Sequence, residues 1–77
     1  MKKYQIINNE MYYNFSLSEI EEKINAISSL KASDEQKTLE LKLGSIYELP
    51  SLVNDNGLRY RKHFNRDTLK VWYEEIS

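Results

Sequence analysis

Residues 59 to 72 read RYRKHFNRDTLKVW. Arg59, Arg61, Lys62, Arg66 and Lys70 are five of the chain's eleven lysines and arginines, and His63 and Trp72 are its only histidine and tryptophan. Cations interleaved with aromatic rings suit two chemistries. Basic groups neutralise phosphates while rings stack on bases, as contact with nucleic acid needs. A lone imidazole among arginines could instead serve as general acid–base in a metal-free ribonuclease. Arg59, Arg61 or Lys62 would then stabilise a phosphorane, with Tyr60 assisting. A plainer reading is a half-buried strand with a wet basic face, open to phosphate or to the carboxylates of a protein. On a strand Arg59, Arg61 and His63 point together, while Leu58, Tyr60 and Phe64 point the other way. If the next segment is helical, Arg66 and Lys70 lie one turn apart and extend the basic stripe.

The remaining titratable residues narrow the chemistry. One histidine and no cysteine leave neither a two-histidine zinc site nor a thiolate site, and no histidine pair for catalysis. The carboxylate pairs Glu21-Glu22, Asp34-Glu35 and Glu74-Glu75 are adjacent in sequence, so on a helix they diverge and read as solvated faces. Gly44 and Gly57 are the only glycines, too few for a phosphate-cradling loop. The sequence therefore predicts no metal, no cofactor and no enzymatic activity.

These residues must be positioned by a small body. A chain of 77 residues makes one domain and buries only roughly 60% of the surface of its unfolded form. Apolar residues at 40% and charged ones at 30% are ordinary for a globular protein. MKKYQIINNE has no apolar run behind its lysines and is not read as a secretory signal. Apolar runs such as MYY are too short for a membrane span, and the absence of cysteine fits a reducing compartment, so a cytoplasmic location is expected. Residues 1 to 57 carry six lysines against nine acids, and residues 58 to 77 carry five basic groups against three acids, or −3 and +2 within a net −1. Such a dipolar domain can take an anion at one end without being basic as a whole.

The expected fold is α+β, a small single domain spanning 1–77. KYQII and MYYNF flank NNE and predict a β-hairpin over about 3–15. Tyr4, Ile6, Met11, Tyr13 and Phe15 share the face expected to be core. Gln5, Ile7, Tyr12 and Asn14 share the outer face, where Ile7 and Tyr12 are candidates for a protein interface. Ser16 and Glu19 have capping-box spacing, Phe15 and Ile20 the spacing of a hydrophobic staple. With Leu17, Ile24, Ile27 and Leu30 they predict a helix over about 17–30. SDEQ favours a second helix over about 34–43 despite the alternation of TLELKL, with Gly44 ending it. Pro50 suggests only short helical turns over about 46–53. NDNG is a turn, followed by a strand over about 58–64. Leu69, Trp72, Tyr73 and Ile76 have helical spacing, predicting a C-terminal helix over about 66–76. The rival is a second hairpin turning at NRD, with Leu69, Val71 and Tyr73 on one face.

Gly57, then RYRKHF, then RDTLKVW is similar to the wing and final helix of excisionase-like and MerR-like winged-helix proteins. That resemblance implies DNA binding. It covers residues 57 to 72 only, and the rest departs from the pattern. If Gly44 were the turn glycine of a helix-turn-helix, Glu40 would fill a position normally small, and Pro50 would interrupt the recognition helix. The family is not assigned on these residues.

The leading functional expectation is a small non-catalytic protein that docks on a macromolecular partner and modulates it, of the accessory or inhibitor type made by phages and mobile elements. A protein partner leads, because six tyrosines are too many for so small a core. The alternative is a DNA- or RNA-binding regulator using Arg59, Arg61, Lys62, His63, Arg66 and Lys70, and the third is the ribonuclease. A lone hairpin is weak and has open edges, so either a homodimer or a larger sheet completed by the 58–64 strand is expected.

Overall fold

The turn residues set the register of the sheet. The computed structural model describes residues 3 to 76. Asn8 and Asn9 both take positive φ, as a two-residue hairpin loop requires. They join β1 (Tyr4–Ile7) to β2 (Glu10–Asn14), with Tyr4 opposite Tyr13 and Ile7 opposite Glu10. Asn56 and Gly57, at φ 51° and 90°, make the same kind of loop between β3 (Leu52–Asp55) and β4 (Leu58–Asn65). The last hairpin turns on Asn65, whose side-chain oxygen accepts from the backbone N–H groups of Asp67 and Thr68. It returns as β5 (Lys70–Glu75), paired with β4 from Asn65↔Lys70 to Tyr60↔Glu75.

The five strands form one mixed sheet in sequence order. Its only parallel pair is β2 with β3, joined by a crossover of two helices, α1 (Leu17–Ser28) and α2 (Glu35–Glu48). The α+β class is as expected. Ser16 caps α1 by accepting from the Glu19 N–H, and the Leu17 N–H donates to Asp55, tying the helix start to β3. Asp34 caps α2 by accepting from the Lys37 N–H.

Three expected elements are corrected. Gly44 does not end the second helix, which runs on to Glu48. The glycine costs about 1 kcal/mol in a helix interior, but continuing the helix buries Ile46 and allows Leu49 to close the core, which outweighs it. The short helical turns expected over 46–53 are therefore the last turn of α2, its cap at Leu49, and the start of β3. The helix expected over 66–76 is β5. Val71, Trp72 and Tyr73 are β-branched and aromatic, suited to a pleated surface, and β4 is long enough to need a partner along its outer edge. The rival hairpin is the one that forms, and the likeness of this segment to a winged-helix final helix ends with it. The larger sheet expected as one outcome is present, completed by β3, β4 and β5.

Both helices pack on one face of the sheet. Ile27, Ile46, Leu49 and Val71 form its buried core, with Ile24, Leu30 and Phe64 against it. Register places Tyr4, Ile6, Met11 and Tyr13 on this same helix side, grouped as expected. They are nevertheless exposed, at 49, 60, 45 and 37%, because the helices lie over β3 to β5 and not over the hairpin. β2 pairs with β3 at Tyr13 and Asn14, so β1 and the first part of β2 extend past the paired edge of β3. The radius of gyration, 13.6 Å, exceeds the about 11.5 Å of a compact chain of this length.

Tyr73 crosses from the sheet to the end of α2, where its hydroxyl donates to the Pro50 carbonyl. Burial pushes its pKa up from 10.0 to about 12. The neutral phenol is favoured in the fold, so this contribution to stability is complete below about pH 10 and is lost as pH rises from about 10 through about 12. A spectrophotometric titration should show a tyrosinate step close to pH 12 that Tyr73→Phe removes. An unchanged titration in that variant would refute the assignment.

Candidate functional site

The face of the sheet turned away from the helices carries most of the basic stripe. Strand alternation and the antiparallel register put Arg59, Arg61 and His63 of β4 on this open face, in rows with Ile76, Glu74 and Trp72 respectively; Lys70 lies on it beside Asn65. Arg66 is exposed in the β4–β5 turn. The structure thus brings together Arg59, Arg61, His63 and Lys70, with Arg66 at the margin.

Lys62 does not join them. As the even neighbour on β4 it points to the helix side, where Nζ donates to the carbonyls of Ile46 and Leu49, each at 3.0 Å. Both carbonyls close the end of α2, where that of Ile46 also accepts from the Leu49 N–H at 3.2 Å, and a cation there suits the helix dipole. Burial lowers the pKa of the ammonium from its ordinary 10.5. Lys62 is a helix cap built from the neighbouring strand, not part of a ligand stripe.

The interface assigned to the outer side of the hairpin is also corrected. Tyr12 is 3% exposed, with the Arg59 guanidinium over its ring and its hydroxyl donating to Glu10. Arg61 reaches the same Glu10 carboxylate at 3.9 Å, so long polar side chains roof the tyrosine. Ile7 is half-buried. The hairpin's exposed apolar side is the opposite one, bearing Tyr4, Ile6, Met11 and Tyr13. Beside it opens a groove of about 640 Å³ whose walls include Tyr13, Phe15, Lys23, Tyr47, Leu49 and Pro50.

On the open face, His63 and Trp72 form one unit. Their rings stack with centroids 5.8 Å apart and 14° between planes. One carboxylate holds both: the Trp72 indole N–H donates to Glu74 Oε1 at 3.0 Å, and His63 Nε2 lies 3.2 Å from Glu74 Oε2. Trp72 is 41% exposed, not packed inward as its helical spacing suggested. Trp72 is one of the rings of the basic run, but neither it nor Glu74 is among the binding residues expected from the sequence. The signal for both is the strand alternation from Val71, legible only once β5 is read as a strand. For a ribonuclease, acid and base must flank a phosphate; here His63 and Glu74 contact each other and orient the imidazole against the indole.

Among the described residues no group of three or more His, Cys, Asp or Glu side chains is arranged to hold a metal ion, and no helix is long and apolar enough to cross a membrane. No family model, curated protein or solved structure matches the chain.

Proposed function

We propose that this chain is a small non-catalytic binding protein that docks on a protein partner, in the cytoplasm, through the helix side of its N-terminal hairpin, and modulates that partner in the manner of an inhibitor or accessory subunit. One observation carries the reading. Tyr4, Ile6, Met11 and Tyr13 continue the core face of the sheet, yet no helix covers them. Tyr47, 60% exposed across the groove, extends the same surface. A contiguous apolar patch is uncommon on a monomer unless it binds something, and tyrosine and methionine are enriched at interface centres. Because the hairpin projects, a partner can reach this surface without disturbing the core.

The test is affinity capture from the native host with nuclease treatment, comparing the parent chain with an Ile6→Glu, Met11→Lys double variant. Both positions are exposed, so the variant keeps its circular dichroism spectrum and unfolding midpoint. The expected result is one protein retained in stoichiometric amount by the parent and lost by the variant. Identical capture by both chains would sink the reading. Sedimentation at high micromolar concentration separates the homodimer: a dimer abolished by the same two substitutions would make the partner a second copy of this chain.

A further inference from the structure

We infer that the open face of the sheet is a second binding surface, and that its ligand is single-stranded nucleic acid stacked on Trp72. This surface lies opposite the hairpin patch and does not depend on it.

The indole is fixed before any ligand arrives. His63 packs against one of its faces, and Glu74 holds both the indole N–H and the imidazole. β5 is the last strand of the sheet, so no neighbouring strand covers the face turned away from His63. A flat, immobilised and exposed ring is what an unpaired base needs, and stacking tolerates any base because each has a π-face. Duplex DNA keeps its bases stacked on one another and offers nothing to such a ring.

Charge is arranged around the ring in rows. Lys70 lies two residues from Trp72 towards one end of β5, and on β4 Arg61 lies two residues beyond His63 towards the other, with Arg59 next in line. Rows two residues apart on a strand are separated by roughly 7 Å. A base on Trp72 has Lys70 towards one end of β5; towards the other, Arg61 meets a phosphate by swinging from Glu10, towards which its guanidinium extends. Arg66 in the adjoining turn adds a cation near Lys70. The acids on this face are Glu10 and Glu74. Glu74 is occupied by His63 and Trp72, and Glu10 holds Arg61 only at 3.9 Å in an exposed pair, which a phosphate can displace at little cost.

Trp72 is the chain's only tryptophan, so its fluorescence reports the site directly. The full chain is titrated with short oligothymidylate and, separately, oligouridylate, following intrinsic fluorescence and the anisotropy of a labelled strand. Saturable quenching is expected with either strand and not with a duplex. The affinity should fall with salt at a logarithmic slope near −2, from about three phosphate contacts. Trp72→Ala should weaken binding roughly tenfold, while Trp72→Phe keeps most of it. Lys70→Glu, at an exposed position, provides the arm that does not touch the stack and should also weaken binding at low salt. No quenching or anisotropy change at low salt, binding insensitive to salt, or full affinity in a folded Trp72→Ala or Lys70→Glu chain would each overturn the proposal.

Discussion

Replacing Ile46 by alanine is expected to lower the thermal midpoint by at least roughly 10 °C. Ile46 is 1% exposed and stands at the centre of the cluster formed with Ile27, Leu49 and Val71. Truncating a buried isoleucine costs about 2–5 kcal/mol, the upper part of that range applying where neighbours cannot collapse into the gap. Here they are held from three directions. Ile27 belongs to α1, Val71 to the outer strand β5, and the Ile46 carbonyl is itself tied to Lys62 on β4. A domain of this size has a total stability of only about 4–12 kcal/mol, so the loss is a large fraction of it. Chemical unfolding should give a lower midpoint with an unchanged slope, since the surface exposed on unfolding is the same. Ile46→Val should cost only about 0.5–1.5 kcal/mol. Leu41→Ala, on the exposed side of the same helix, should change little. A midpoint for Ile46→Ala within a few degrees of the parent would mean that the two-layer packing is wrong.

The same cluster explains which parts of the fold were legible. Local chemistry was readable wherever it acts over a few residues. Ser16 and Glu19 fix the start of α1, Asn8 and Asn9 fix the first hairpin, and the alternation of RYRKHF fixes which side of β4 is basic. What the sequence could not show is decided by contacts distant along the chain. Gly44 looks like a helix stop until Ile46 and Leu49 are seen to need the next turn for burial against Val71. Leu69, Trp72, Tyr73 and Ile76 keep helical spacing as well as strand spacing. β4 decides between them by offering a long edge to pair with. Asn56-Gly57 is a hairpin turn that needs a strand on either side, but Pro50, two residues before Leu52, gives that short stretch the look of a loop. The hairpin faces were grouped correctly and their burial inverted, because burial depends on where α1 and α2 lie. Nothing in residues 3 to 15 encodes that.

The candidate site was affected in the same way. Arg59, Arg61 and His63 share the open face as the alternation required. Trp72 joins them only because β5 is a strand, and Glu74 only because β5 pairs with β4 in the register that sets Arg61 beside it. The rings that made RYRKHFNRDTLKVW look like a stacking platform divide between the two sides. Tyr60 and Phe64 face the helices; Trp72 and His63 face solvent. On the open face one stacked pair of rings therefore remains, smaller than the run of aromatics suggested and held in place by Glu74.

Lys62→Met is expected to destabilise the fold by about 1–3 kcal/mol while leaving ligand binding on the open face unchanged. Methionine preserves the apolar stem of the lysine between sheet and helix, so the packing loss is small. What disappears is the ammonium that donates to the carbonyls of Ile46 and Leu49. Both acceptors lie at buried residues at the end of α2, and Pro50 directly after the cap has no N–H of its own to offer. The Ile46 carbonyl keeps the Leu49 N–H, so the cost is that of the Leu49 carbonyl left without Lys62 plus the lost cation at a helix C-terminus, the latter about 0.3–1 kcal/mol. Alkaline pH tests the same contact from the other side. Burial lowers the Lys62 pKa from 10.5, so the unfolded chain holds this proton more tightly than the folded one. As pH rises from the folded value to 10.5 the parent gains stability from this group, and Lys62→Met, having no proton to lose, does not. Hydrogen exchange should be faster in the last turn of α2 in the variant. Had Lys62 belonged to the basic stripe, its loss would weaken oligonucleotide binding and spare the unfolding midpoint; the reverse pattern is the one the geometry requires.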